Sequence, residues 1–251
     1  MMYMLPKVST SHSQTVSGNF RQTVTIKKMK LLINNIYTSF SQTESAKYDF
    51  RAPYYEWMVK SSWFNVLHWN TLPKYYTEFA KDAIINKKGK LIDVGCGGLS
   101  QTYTLYSKTK NDCTLIDRSV GMLKMARQKL LQTNGQFPTN IHLLQSDAFN
   151  LPFEENSFDV LCSFGTIHLF DDKKYFIESI LKVLKPGGHF YFLTMTNKYL
   201  NSCLFMNVLR QFGEFGAVCS VKETLELFSE EEYNIESYTK GSVLFIKGQK
   251  L

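Results

Sequence analysis

One stretch of sequence decides the fold: "KLIDVGCGGLSQ", at residues 90 to 101. An apolar run that ends at Asp93 is typical of a buried strand, and Gly95, Gly97 and Gly98 follow it almost at once. Glycines allow tight turns and a close approach of the backbone to a ligand, because they carry no side chain. The stretch therefore predicts a strand that leads into a ligand-binding loop.

Predicted strands and helices alternate from this loop to the end of the chain. Four more apolar strands are expected, at residues 113–117, 141–146, 157–164 and 189–196, with a closing hairpin at 233–248. Apolar strands that alternate with helices are typical of a parallel sheet covered on both faces. We expect an α/β, Rossmann-like fold with seven mostly parallel strands and a C-terminal antiparallel hairpin. Ligands of such sheets bind at the carboxyl ends of the strands.

The net charge of +7 is concentrated near the start of the sequence. No acidic residue precedes Glu44, whereas five basic residues do: Lys7, Arg21, Lys27, Lys28 and Lys30. A nucleic-acid-binding face would spread its Lys and Arg over the folded body, so the charge gives no strong support for a nucleic-acid partner. Residues 1–28 are rich in Ser and Thr and lack an apolar pattern, which predicts a disordered tail. We expect one domain over 29–251, divided into a helical lid (29–88) and a Rossmann-like core (89–251).

The lid is predicted from a segment dense in aromatic residues, "YDFRAPYYEWMVKSSWFNVLHW" at 48–69, which holds all three tryptophans. Its apolar spacing suits helices. Such a segment can pack as ordinary core, but it can also fold over the ligand site and contact a substrate. We expect Tyr54, Tyr55 and Trp57 to face the substrate.

Several classes of protein are disfavoured by composition. The five cysteines are scattered, without a CxxC pair or a histidine cluster, which indicates a reducing compartment and no zinc site. We therefore expect a cytoplasmic protein without a bound metal. No apolar run approaches the 18 or so residues that a membrane span needs, so no membrane partner is expected.

The loop does not suit a phosphate-bearing ligand. A dinucleotide loop needs G-x-G-x-x-G, but Ser100 stands where the third glycine would be, and no Walker loop is present. The carboxylate of Asp93 just before the loop would also repel a phosphate. A cationic ligand suits it better. S-adenosylmethionine carries an ammonium and a sulfonium group and has no phosphate.

At this point the chain resembles the class I S-adenosylmethionine-dependent methyltransferases, and within them the small-molecule group that includes the ubiquinone/menaquinone biosynthesis enzymes. The likeness runs from about Lys90 to Gly188. Four motifs carry it in the family's order: "DVGCGG", "LIDRSVGMLKMAR", "SDAFNLPFEENSFDVL" and "LKVLKPGGHF". One glycine loop would be weak evidence, whereas four motifs in register are specific.

The resemblance implies S-adenosylmethionine as the cofactor and a role for each matching residue. Asp93 would face the ammonium, Asp117 would accept the ribose hydroxyls, and Met122 would lie against the adenine. Asp147 would accept from the adenine amine, and the Ala148 backbone would contact a ring nitrogen. The whole implied cofactor site is Asp93, Gly95, Cys96, Gly97, Asp117, Arg118, Met122, Asp147, Ala148 and Ser163.

One position departs from the family pattern. The third glycine of the motif falls on Leu99, and Gly98 stands one place early. We expect the side chain at 99 to be tolerated, because this position mainly packs the following helix on the strand.

The expected reaction is an in-line displacement at the sulfonium methyl, in which positioning supplies most of the rate. A general base is needed only for an acceptor that is protonated at working pH. His168, in the loop after the fourth predicted strand, is the candidate base, and a packing or gating role for it is equally open. Glu56 and Tyr55 are weaker candidates.

Three functions are compatible with these motifs. The first is a transferase that methylates a small, aromatic or apolar metabolite. The second is an RNA or protein methyltransferase on the same fold, and the third is a non-catalytic S-adenosylmethionine-binding interaction protein. The N/D-P-P-Y/F motif and the Pro-Cys dipeptide of nucleic-acid methyltransferases are absent from the sequence, which favours the first. The methylated atom and the oligomeric state stay open.

Overall fold

A computed structural model describes residues 29–41 and 52–251. The predicted tail at 1–28 lies outside the described residues. The described chain forms one sheet of nine strands: β1 (Lys30–Ile33), β2 (Ile36–Thr38), β3 (Lys90–Val94), β4 (Asp112–Asp117), β5 (Ile141–Gln145), β6 (Phe158–Phe164), β7 (Leu184–Met195), β8 (Tyr233–Lys240) and β9 (Val243–Lys250).

Eight α-helices accompany the sheet in the described part of the chain: α1 (Ala52–Lys60), α2 (Ser62–Trp69), α3 (Pro73–Lys81), α4 (Tyr103–Tyr106), α5 (Val120–Asn134), α6 (Lys173–Leu181), α7 (Leu200–Gln211) and α8 (Val221–Leu225). A π-helical turn at Asp82–Asn86 extends α3, and a 3-10 turn at Ile167–Leu169 follows β6. None of these helices combines the length and apolar character needed to cross a membrane.

The strand order across the sheet is β1-β2-β5-β4-β3-β6-β7-β9-β8. The six strands from β2 to β7 in this order run parallel, and β9 and β8 add the C-terminal antiparallel hairpin. The predicted α/β architecture is therefore confirmed. Because the order reverses between β3 and β6, the switch point of the sheet lies beside the glycine loop, where ligands of such folds bind.

Two strands more than the predicted seven come from a range that was expected to be helical. Residues 30–38 form β1 and β2 instead of the start of the lid, and β2 pairs in parallel with β5. Ile36 is fully buried, and the Thr38 hydroxyl donates to Gln145 Oε1 at 3.0 Å. The segment is too short for its sequence pattern to predict a strand, and it becomes one by pairing with the edge of β5. The helical part of the predicted lid begins at α1.

Helices cover both faces of the sheet. On one face α5 buries Leu123, Ala126 and Leu130, and on the other α6 buries Phe176 and Ile180. The ends of α5 are set locally. The Ser119 hydroxyl accepts from the Met122 N–H at 3.1 Å, and Gly135 closes the helix with a φ of 72°.

Candidate cofactor and acceptor site

The glycine loop after β3 is anchored on the end of β4. The N–H groups of Gly95 and Cys96 both donate to the Ile116 carbonyl, at 2.8 and 2.9 Å. Gly95 has a φ of 77°, and a Cβ built there would collide with the Thr166 hydroxyl. Only glycine fits this turn, so the loop depends on the residue that the sequence motif places there.

Asp117 ends β4 and holds the loop from the other side. Its carboxylate accepts the Gly97 N–H and the Ser119 N–H, each at 2.8 Å. Two backbone donors fix the plane of the carboxylate at the mouth of a cavity of about 240 Å³. The carboxylate of Asp117 is therefore oriented by the backbone toward a ligand space.

This cavity brings together all four residues that the family resemblance assigned to the nucleoside, namely Asp117, Met122, Asp147 and Ala148. Its lining includes the carboxylates of Asp117 and Asp147 and the aromatic rings of Phe149 and Phe170. Such a surface suits a flat apolar ring that carries hydroxyl and amine groups. The predicted residues in its lining are Gly95, Gly97, Asp117, Arg118, Met122, Asp147 and Ala148.

Asp93 lies behind the loop, fully buried at the edge of a smaller cavity of about 90 Å³. One carboxylate oxygen accepts the Tyr106 hydroxyl at 2.7 Å, and the other, Oδ1, has no hydrogen-bond donor among the described residues. Burial, with a further contribution from the nearby Asp117 charge, raises the pKa of Asp93 to about 7, although the Tyr106 hydrogen bond opposes the rise. An ammonium group is the chemistry that would satisfy this buried oxygen and restore its charge.

The comparisons with known proteins agree with this geometry. Residues 85–237 match a family described as a methyltransferase domain. The chain belongs to the class I S-adenosylmethionine-dependent methyltransferases. S-adenosylmethionine is accordingly its cofactor, and the buried Asp93 oxygen together with the Asp117 cavity fits that molecule.

The relatives of this methyltransferase include enzymes whose names refer to menaquinone or ubiquinone biosynthesis. The demethylmenaquinone methyltransferase of Staphylococcus haemolyticus is 31% identical over 174 residues, which is 66% of this chain and 70% of the relative. The ubiquinone/menaquinone biosynthesis C-methyltransferase of Idiomarina loihiensis is 28% identical over 242 residues, which is 86% of this chain and 91% of the relative.

Solved structures share the fold at lower identity. YcgJ of Bacillus subtilis has a TM-score of 0.58 at 18% identity and covers 70% of this chain and 98% of its own. Geranyl diphosphate C-methyltransferase of Streptomyces coelicolor has a TM-score of 0.57 at 13% identity, and the match covers 72% of this chain and 77% of that enzyme.

Besides Asp93, two predicted cofactor residues of the methyltransferase do not line the larger cavity. Ser163 is fully buried, and its hydroxyl donates to the Val94 carbonyl at 2.8 Å, so it ties β6 to β3. Cys96 lines the smaller cavity beside Asp93. Burial, with the charges of Asp117 and Asp93, raises the pKa of the Cys96 thiol well above its ordinary value. The thiol therefore stays protonated and serves as a small wall residue rather than a nucleophile.

An aromatic cavity of about 60 Å³ lies between the lid helices α1 to α3 and helix α7. Its lining includes Phe64, Trp69, Phe205, Phe215 and His168. Tyr55 lines this cavity and both of the cavities described above. Tyr55 therefore stands at the junction of the nucleoside space, the Asp93 space and the aromatic space.

The other two aromatic residues expected to face the substrate do not line these cavities. Tyr54 and Trp57 are 61% and 47% exposed and stack on each other at a ring distance of 5.9 Å. Helix α1 turns Tyr55, Met58 and Val59 inward instead. Their i, i+3, i+4 spacing was the sequence signal that could have separated the inner face from the outer one.

His168, the predicted base, is buried in the aromatic cavity. Its ring lies 4.4 Å from Phe215, and Nδ1 lies 3.4 Å from the Thr194 hydroxyl. Burial, with the positive charge of Lys173, lowers the pKa of His168 to about 3. A neutral imidazole of such low basicity is poorly matched to proton removal near pH 7, which favours the packing role.

The departure from the motif at Leu99 is absorbed by the backbone. Leu99 adopts a left-handed φ of 56°, and its side chain is 1% exposed. The side chain therefore joins the core instead of crowding the loop. The cost is a backbone conformation that an L-residue with a branched side chain rarely adopts.

Two contacts that the sequence analysis missed join the lid to the glycine loop. Lys129 of α5 donates to the Glu56 carboxylate of α1 and to the Gly98 carbonyl, each at 2.5 Å. The Gln101 side-chain amide donates to the Val59 carbonyl at 2.9 Å. Lid and loop are thus held as one unit.

Proposed function

We propose that this methyltransferase methylates a small, flat and apolar acceptor held in the aromatic cavity under the lid. The position of Tyr55 carries the proposal, because this one side chain borders the nucleoside space, the Asp93 space and the aromatic space. A cofactor in the first two spaces would meet an acceptor in the third beside Tyr55. When bound, S-adenosylmethionine supplies a methyl group on a sulfonium that is already a good leaving group.

On the cofactor side, the chain's own residues bind and orient. The buried Asp93 oxygen would accept the ammonium, and the Asp117 carboxylate, already oriented by the Gly97 and Ser119 N–H groups, would accept the ribose hydroxyls. Met122 and Asp147 line the same cavity, where Met122 would lie against the adenine and Asp147 would accept from its amine. These contacts fix the cofactor by charge at one end and by shape at the other.

On the acceptor side, the cavity offers aromatic walls and few polar groups. The Tyr76 hydroxyl donates to Asn65 Oδ1 at 3.2 Å, and the Asn65 side-chain nitrogen donates to backbone carbonyls, so the polar atoms of both residues already have partners within the protein. Rings bind rings through offset and edge contacts, which favours a planar acceptor. The names of the quinone-pathway relatives also support an aromatic acceptor.

Catalysis in this proposal rests on positioning and exclusion of water. The lid helices close the aromatic cavity, and the Lys129 and Gln101 contacts keep them on the loop. Such a pocket would hold the acceptor in position for methyl transfer and keep water from competing for the methyl group. His168 fills the far wall as a neutral ring.

The test is an acceptor panel incubated with the enzyme and methyl-labelled S-adenosylmethionine, followed by mass spectrometry. The panel contains demethylated quinols, simple phenols, total RNA and a protein mixture. We expect label in a quinol or phenol product. Label found only in RNA or protein, or in no acceptor while the cofactor binds, contradicts the proposal.

A matched pair of variants locates the acceptor. Tyr55→Ala removes the junction side chain, whereas Tyr54→Ala removes an exposed neighbour of the same size on the same helix. We expect the first to lower turnover more than about tenfold and the second to leave it within about twofold. Equal effects of the two variants would place the acceptor elsewhere.

A further inference from the structure

The outer faces of α2 and α7 carry a group of exposed large apolar side chains. On α2 these are Trp63, Val66 and Leu67, each at least half exposed. On α7 and just after it they are Leu200, Leu204, Val208 and Phe212. Scattered exposed apolar residues are ordinary, but a group of this size on adjoining helices marks an interaction surface.

Helix α7 is apolar on two opposite sides, which a simple surface helix is not. Met206 is buried and Phe205 is partly buried on its inner side. Leu200, Leu204 and Val208 follow at intervals of four residues on its outer side. The inner side satisfies the core, so the outer stripe has no folding role to explain it.

The two helices form one surface because their ends are joined. The Asn201 amide donates to the Leu67 carbonyl at 2.6 Å, and the Ser202 hydroxyl donates to the His68 carbonyl at 2.5 Å. Trp57 of α1 extends the surface, since its ring lies 5.7 Å from that of Trp63. We call this the α2–α7 surface.

The two chain segments that form the α2–α7 surface carry basic residues and no acidic ones, although Glu56, Glu78 and Glu214 adjoin them in sequence. Residues 57–77 and 196–213 contain no Asp or Glu, but they contain Lys60, Lys74, Lys198 and Arg210. Lys60 pairs with Glu56, and Arg210 lies 3.8 Å from Asp171, so acidic partners come only from outside these segments. An apolar centre with exposed tryptophans, on segments whose charged residues are all basic, is a composition that suits the interface of an anionic lipid bilayer.

We propose that the α2–α7 surface docks on an anionic lipid bilayer. A second copy of the chain fits less well, because a symmetric contact through this face would bring the basic side chains of both copies together. This departs from the expectation of no membrane partner, which rested on the lack of a spanning segment. A helix pair lying on the interface needs no such segment.

Docking on this surface would also place the aromatic cavity next to the lipid. Phe64 and Trp69 of α2 and Phe205 of α7 line the cavity from the inner sides of the same helices. If the proposed acceptor side holds, a lipid-soluble acceptor would reach the cavity from the bilayer. Bilayer binding itself rests on the surface alone and is measured without any acceptor.

The test is flotation of the full chain with vesicles of phosphatidylcholine alone or mixed with phosphatidylglycerol. We expect co-flotation with the anionic vesicles, a blue shift of the tryptophan emission and loss of binding at high salt. Leu204→Glu and Val208→Glu should each weaken binding by about tenfold or more, because each places a carboxylate in the apolar centre. The matched control is Leu251→Glu, an exposed leucine at the C-terminus.

Two further measurements separate a loss of bilayer binding from a loss of fold. Cofactor affinity of each variant, with its circular dichroism, reports whether the fold is intact, and Leu200→Gln replaces any variant that fails. Absence of flotation by the native chain overturns the proposal. The proposal is also overturned if light scattering finds a dimer that Leu204→Glu converts to a monomer. In that case the surface binds a second copy of the chain.

Discussion

Lys129 and Glu56 form an ion pair with an N···O separation of 2.5 Å between the core helix α5 and the lid helix α1. Both side chains are largely buried, at 15% and 12% exposure. Burial alone would raise the pKa of Glu56, but the hydrogen bonds from Lys129 and Lys60 outweigh it and the net pKa is lowered. Because Lys129 also donates to the Gly98 carbonyl, this one ammonium couples the lid to the cofactor loop.

We expect Lys129→Met to loosen the lid without unfolding the core. Loss of the ammonium leaves the Glu56 carboxylate and the Gly98 carbonyl without their shared donor, which costs about 1 to 3 kcal/mol at this site. Acceptor KM should rise and turnover should fall, whereas calorimetric affinity for the cofactor should change less. Steady-state kinetics and calorimetry check the difference.

The matched control for this variant lies on the same helix. Lys124→Met removes an exposed lysine of α5 and should leave KM, turnover and cofactor affinity unchanged. If the Lys129 variant behaves like the Lys124 variant, the lid does not depend on this pair.

We expect Asp117→Ala to weaken S-adenosylmethionine binding by about 2 kcal/mol or more, because the ribose hydroxyls lose a charged acceptor. The loop also loses the Gly97 contact, so part of the effect is loss of loop order. Asp117→Asn keeps one side-chain oxygen as an acceptor and should fall between Ala and the native residue. Calorimetry that finds native affinity in the Ala variant would remove the ribose assignment.

The parallel sheet, the glycine loop and the Asp117 position could be predicted because local patterns determine them. Strand β3, its glycines and the acid at the end of β4 follow one another with a spacing that the topology requires. The caps of α5 at Ser119 and Gly135 are likewise set by residues at the ends of the helix itself. Sequence reasoning therefore succeeded where short patterns recur at a spacing that the alternation of strands and helices fixes.

What could not be predicted depends on contacts between distant segments. Lys129 and Glu56 are 73 residues apart, and no local pattern pairs them. Strand β2 is only three residues long, and it forms because it pairs in parallel with the edge of β5. The density of aromatic residues around α1 does not indicate which face of the helix points inward, so Trp57 was predicted to face inward although it is 47% exposed.

The raised pKa of Asp93 predicts opposite pH dependences for binding and for stability. The cofactor ammonium needs the carboxylate form, so cofactor affinity should fall as the pH drops below about 7. In the cofactor-free protein the pKa is higher when folded than when unfolded, so the folded state binds the extra proton. The contribution of Asp93 to the free energy of unfolding should therefore decline as the pH rises from about 4 to about 7.

Melting curves at a series of pH values, with and without S-adenosylmethionine, check both trends. Asp93→Asn removes the titration, so its cofactor-free stability should exceed that of the native protein at alkaline pH and vary less between acidic and neutral pH. It should also bind the cofactor more weakly at all pH values. A native pH profile in the Asn variant would mean that another group titrates.

The left-handed backbone at Leu99 should be less strained with glycine than with alanine at this position. At an ordinary helical or extended position, Gly is less stable than Ala by about 0.5 to 1 kcal/mol, because it loses more backbone entropy on folding. At a φ of 56° the Ala variant keeps the strain of about 1 to 2 kcal/mol that Gly escapes. Both variants lose the buried leucine side chain, which costs about 2 to 5 kcal/mol. We therefore expect both variants to be destabilised, with Leu99→Gly at least as stable as Leu99→Ala. Urea unfolding measures the two free energies of unfolding, and a Gly variant clearly less stable than the Ala variant would show that the backbone at 99 is not strained.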